Sequence, residues 1–366
     1  MIDFRYHVVS IVAVFLALAI GIVFGSTELQ GTTIDVLRNT SQQIKNQYDA
    51  THARNVELNQ QVSEDQAVAQ AAEPRLLGGL LSGQRVVLVD APGAPGPVVT
   101  GITSALRQAG ATVTGQVNLQ PKLLDASQSN QQFLTQLVQQ LAAPGSVPGS
   151  GTGLQQAARL LASAILTKTT GSNGGTSGST SGGGPVTSGR TILEGYAQAG
   201  LLSLSDGQPP VPATLAVVIT PSSAPAGGVS DPANQGLITV AQQLDTVGLG
   251  TVMAGSASGS GPGSAIDALR GSTAAGHISS VDYADTVFGQ IVTVQALADA
   301  LAGRKAASYG QLSGDTAAAP SPAPTPSTST PPVPSTGPHG KNAKTATAGQ
   351  NSAASSPPVK SSRGRS

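Results

Sequence analysis

One run of residues constrains this chain more than any other: from Val8 to Gly25 it carries no charge, and only Ser10 is polar beyond glycine. As a helix rising 1.5 Å per residue, that stretch spans roughly 27 Å, enough for a thin bilayer core. It is the longest apolar run in the sequence, so it decides where the rest of the chain lives. Two readings compete for it. A cleavable signal peptide has a basic start, a shorter apolar core and small residues at the cut. Here Asp3 offsets Arg5, and Val23-Phe24-Gly25 is not an A-x-A site. The uncleaved anchor is the favoured reading, over residues 1–27. Arg5, Tyr6 and His7 then mark the aqueous membrane edge, where an aromatic sits at headgroup depth and a cation can snorkel. The expected orientation places the N-terminus inside and the bulk of the chain outside, a plasma-membrane, single-pass arrangement facing the periplasm or cell wall.

Beyond the anchor, residues 28–77 carry a helical rhythm. Alternating steps of three and four give Ile34, Leu37, Ser41, Ile44, Tyr48, Thr51, Asn55, Leu58, Val62, Asp65, Ala69, Ala72 and Leu76. Most are apolar while the flanks are polar, which predicts a coiled coil whose seam runs through Ile34, Leu37, Ile44, Tyr48, Leu58 and Val62. Asn55 and the other polar seam residues weaken the seam and favour two strands, so a parallel homodimer is expected. The competing reading is a lone amphipathic helix packed on its own domain. Pro74 is expected to help end the helix.

After Gly83 the pattern changes to alternating strands and helices. Residues 84–90 form a β-branched run closed by Asp90, and helices and strands then alternate to an expected last strand at Ile278–Val281 and a helix from Val287 to Ala302. That helix is expected to be amphipathic, with Val287, Ile291, Val294, Leu297, Ala298 and Leu301 on one face. The alternation predicts an α/β domain over residues 84–306, a doubly wound, Rossmann- or flavodoxin-like parallel sheet covered on both faces. Residues 171–189 are almost pure Gly, Ser and Thr and should form a flexible insertion. Residues 311–366 are rich in Pro, Ser and Thr, and their only charges past Asp315 are basic, Lys341, Lys344, Lys360, Arg363 and Arg365. They should be a disordered basic tail.

Little of this is catalytic. With no cysteine, thiol chemistry, disulfides and thiolate metal sites are excluded. The turn after the first strand reads DAPGAPGPVV, which lacks the G-x-G-x-x-G spacing of a dinucleotide site. A G-x-S-x-G nucleophile elbow is missing too. Asp282 and Asp285 follow the last expected strand, where α/β sheets bind ligands, and could share a hard cation. The plainer reading makes Asp285 the N-cap of the next helix and lets Asp282 close the turn. His7, His52, His277 and His339 fall in four different segments. No enzyme activity, cofactor, defined metal ligand or nucleic-acid partner is expected.

The opening Met1, Ile2, Phe4, Arg5, His7, Ser10, followed by the small and apolar residues from Ala13 to Gly25, closely resembles the N-terminus of the actinobacterial copper transporter MctB family. SSVDYADT at 279–286, the Gly289–Gly303 helix and Ser308-Tyr309-Gly310 are similar as well. The resemblance covers about residues 1–310 and implies a membrane-anchored envelope protein in copper transport or homeostasis, with the copper ion as cargo. The alternative is a non-enzymatic coiled-coil scaffold that regulates cell-wall hydrolysis or cell division through an envelope protein partner.

Overall fold

The computed structural model describes residues 4–142, 150–168, 189–205, 207, 209–310, 312, 315–321 and 323–325; the side chains of Phe4 and of residues 26–35 are also left undescribed. Nearly all of the expected insertion and residues 326–366 of the expected tail lie outside the described residues.

The first element is one uninterrupted helix, α1 (Phe4–Leu77), which contains both the apolar stretch and the polar heptads. Pro74 sits inside it, and the helix continues to Leu77. A proline near the carboxyl end forfeits one hydrogen bond, but the last turn is held by burial. Leu77, Leu80 and Leu81 are almost wholly inaccessible, packed with α9 (Val287–Leu301).

Seven strands form one sheet: β1 (Arg85–Asp90), β2 (Thr112–Leu119), β3 (Leu202–Leu204), β4 (Leu215–Ile219), β5 (Thr251–Ala254), β6 (Ser279–Val281) and β7 (Ser308–Tyr309). Their order is β3-β2-β1-β4-β5-β6-β7, parallel throughout except for β3. That is the doubly wound arrangement, and it reverses direction between β1 and β4. Period two sorts each strand between two cores. Val87, Val89, Ala216, Val218 and Met253 enter one, against α3 (Pro121–Leu124), α4 (Gln128–Leu141), α5 (Gly153–Ile165), α6 (Gly189–Gln198), α7 (Pro232–Val247) and α8 (Ala265–Arg270). Val86, Leu88, Leu215, Val217, Ile219, Val252 and Ala254 enter the other, against the end of α1, α2 (Gly96–Gln108) and α9. Strands buried on both faces read as continuous apolar runs, which is why β1 shows in the sequence as a β-branched run.

Three expectations need correction. The sheet does not end at β6: Ser308 and Tyr309 add a seventh strand beside Ser280 and Val281. Two residues carry no periodicity, so only the pairing reveals the strand. The antiparallel edge strand β3 was missed for the same reason. The helix from Val287, expected to be amphipathic, is instead α9 with Gly289 and every residue from Ile291 to Ala298 buried, Thr293 and Gln295 included. It is enclosed by β5, β6, α2 and the end of α1, and a helix wrapped on all sides needs no polar stripe.

Candidate functional site

Two regions can act on something outside the chain. The first is α1. Residues Arg5–Gly25 have a mean hydropathy of 2.9, and none of this span is buried. Phe15, Leu16, Ile22 and Phe24 each expose more than half their surface. Leaving that much apolar area in water is unfavourable at about 25 cal/mol per Å², so this segment belongs in lipid. Arg5, Tyr6 and His7 lie at its amino end, all exposed, with Tyr6 showing 77 % of its surface. Farther along, the seam residues Leu37, Ile44, Tyr48, Leu58 and Val62 are exposed by half or more, while the side chain of Ile34 lies outside the described residues. They stand away from the chain's own cores, so the packed lone helix is not what the structure shows.

The second region is the carboxyl edge of the sheet. Its centre is the reversal between β1 and β4, where crossovers leave on opposite faces and open a crevice. One cavity occupies it and a second adjoins it over the ends of β1 and β2, the two sharing Ala91, Pro92 and Pro121. The larger, about 690 Å³, is walled by Pro92, Leu124, Asp125, Pro221, Asn234 and Leu237 among others. The smaller, about 570 Å³, has Asp90, Gln116, Asn118 and Gln120 along one side and the β1–α2 turn along the other.

Asp90 is the last residue of β1 and is 4 % exposed. Its Oδ2 accepts a short hydrogen bond from Gln116 Nε2, while Oδ1 is buried and takes none. Gln116 also donates to Asn118 Oδ1 at 3.1 Å, and Asn118 donates to Ser205 Oγ at 3.0 Å. Burial pushes the Asp90 carboxyl up to about 6, the Gln116 hydrogen bond opposing. The other two acids of the crevice are engaged locally. Asp125 accepts from Ser127 N and Oγ, both at 2.9 Å, which lowers its carboxyl. Asp231 caps α7 through Ala233 N at 2.9 Å and also accepts from Gly227 N.

Asp282 and Asp285 are placed together at the end of β6, but each is bound to the protein itself. Asp282, 1 % exposed, accepts from both terminal nitrogens of Arg270 at 3.2 Å. Arg270 reaches Asp315 at 2.6 Å, Ser280 Oγ at 3.1 Å and the Tyr309 carbonyl at 3.3 Å. Burial raises the Asp315 carboxyl and Arg270 opposes it. Asp285 is not the N-cap of α9: Thr286 accepts from Gly289 N at 3.0 Å and fills that role. Asp285 instead accepts from Ala257 N at 2.9 Å, tying the β6 loop to the β5 loop. The partners Arg270 and Ala257 lie too far off in sequence for spacing to reveal them. His277 lies before β6, at the amino edge, within electrostatic reach of Asp245. Among the described residues no three of His, Asp and Glu converge as a metal site requires.

Comparison with known proteins adds what geometry leaves open. The family model described as "Copper transport outer membrane protein, MctB" matches residues 1–320. A protein named copper transporter MctB from Mycobacterium leprae (strain TN) is 30 % identical over 326 residues, covering 86 % of this chain and 98 % of the relative. The protein of that name from Mycobacterium tuberculosis (strain ATCC 25618 / H37Rv) is 28 % identical over 317 residues, covering 85 % and 96 %.

Proposed function

The chain belongs to the MctB family, matched over residues 1–320, and from that premise we propose that it is a membrane-anchored envelope protein serving copper transport. The match carries the reading because it takes in the anchor, the long helix and the α/β head together. Copper is the cargo. Soft copper(I) prefers sulfur ligands, and the chain has no cysteine and two methionines.

The fold limits how such a protein takes part. One helix cannot enclose an aqueous path, because a conduit needs several helices or a closed barrel. The sheet is open and sandwiched between helices, so the membrane element supported here is the helix Arg5–Gly25. Copper therefore crosses with the help of further helices, from copies of this chain or from an envelope partner. In this reading the head lies on the outer side of the plasma membrane, with Arg5, Tyr6 and His7 at the inner edge. The test is copper content: a deletion strain should differ in cell-associated copper by several-fold under copper challenge, and the intact gene should restore it. Unchanged copper content and unchanged copper tolerance would overturn the reading.

A second reading is favoured by the exposed seam of Leu37, Ile44, Tyr48, Leu58 and Val62. These residues sit at heptad spacing on a helix and are exposed away from both described cores, as a parallel two-stranded coiled coil requires. In this reading α1 pairs as a homodimeric stalk and presents the head to an envelope protein that governs wall hydrolysis or division. The full chain in detergent should then have the mass of two protomers by light scattering at tens of micromolar. A protomer mass there sinks the stalk, and normal separation of cells in the deletion strain removes the division role.

A further inference from the structure

We propose that the cavity at the carboxyl ends of β1 and β2, beside the crevice, binds a small organic molecule through an ammonium or guanidinium group, with Asp90 as its anionic anchor. This goes beyond the copper reading and does not depend on it.

The chemistry follows from what lines the walls. A nucleotide site at this place in the fold supplies free backbone N–H groups and often a basic side chain. Here several of those donors are removed or spent. Pro92 and Pro95 lie in the β1–α2 turn and Pro97 in the first turn of α2, and all three lack an N–H. The N–H groups of Val98 and Val99 turn back onto the Pro95 carbonyl at 3.1 and 3.3 Å. Across the crevice, Pro121, Pro221, Pro225 and Pro232 repeat the pattern, and the side chain of Asp231 consumes the Ala233 N–H. Three carboxyl groups and no Lys, Arg or His line the two cavities. Such walls repel anions and call for a ligand that donates hydrogen bonds.

Asp90 is the one acid of the three whose oxygen is buried without a hydrogen bond. An unsatisfied buried carboxylate is costly and persists where a ligand completes it. The cavity volumes suit a small molecule, and the proline, alanine and leucine walls suit a short aliphatic body. The remaining side chains of Asp90's own cavity, from the turn, α2 and β2, are uncharged, leaving Asp125 and Asp231 next door as the other titratable groups.

The full chain in detergent micelles, at 0.15 M salt, is titrated by calorimetry with 1,4-diaminobutane, 1,4-butanediol and succinate. The diamine should bind at least tenfold more tightly than the diol or the diacid at pH 7. Its affinity should fall about tenfold between pH 7 and pH 5, as Asp90 takes up a proton. Asp90→Asn should weaken the diamine at least tenfold and abolish the pH dependence. Should that variant fail to fold, the pH arm on the unaltered chain decides. Equal binding of diol and diamine, or diamine affinity indifferent to pH or to Asp90→Asn, overturns the proposal.

Discussion

Asp90 holds its carboxyl in a place where ionisation is disfavoured, and the consequence for stability has a definite sign. Its folded value of about 6 lies above the ordinary carboxylate range, so between pH 4 and 6 the folded chain binds more protons than the unfolded one. Stability therefore falls as pH rises through that window and stays lower above it. Asp90→Asn keeps the shape and removes the charge; it should raise stability at pH 7 by about 2–3 kcal/mol and by little at pH 4. Denaturant midpoints at the two pH values check this. Arg270 makes the opposite case. It joins Asp282, Asp315 and the Tyr309 carbonyl, so Arg270→Ala leaves two buried carboxylates without their cation. The expected loss is about 3–5 kcal/mol by chemical denaturation. Neither role was visible in the sequence, where Asp90 reads as the acid that closes a strand and nothing near Arg270 points to Asp282 or Asp315.

At the scale of elements, α9 shows how little space the packing of the head leaves. A Cβ on Gly289 would strike the carbonyl of Tyr283 and crowd Ala284, all backbone that cannot swing aside. Gly289→Ala should therefore cost about 1–3 kcal/mol despite the better helix propensity of alanine. Leu77, fully buried at the end of α1, should cost about 2–5 kcal/mol when cut to alanine, because its cavity lies between α1 and α9. Thermal unfolding of each variant tests both. The α2 boundary was legible in advance: Gly110, at φ +83°, follows the helix and lets Ala111 N–H reach the Leu106 carbonyl at 3.0 Å. β3 and β7 were not legible, since strands of three and two residues owe their existence to the neighbour they pair with.

For the whole molecule, the helix Phe4–Leu77 runs from the apolar span into the head without a break. If two copies pair along it, replacing Ile44 and Leu58 together by serine should halve the mass measured in detergent, with the head's unfolding midpoint unchanged. An unchanged mass would place the contact between copies elsewhere.

The sequence by itself determined the apolar anchor, the heptad rhythm, the alternation that makes a doubly wound sheet and the family membership. Each is written in local periodicity or in contiguous motifs, which do not depend on what lies across the fold. The tertiary structure alone decided which acids are satisfied. Asp282 and Asp285 sit where a ligand site was conceivable, yet Arg270 and the Ala257 amide hold them. Asp90 drew no attention as a ligand group, yet it ends with a buried oxygen beside the crevice. Hydrogen-bond satisfaction depends on partners brought together across long stretches of chain, and spacing along the sequence does not encode it.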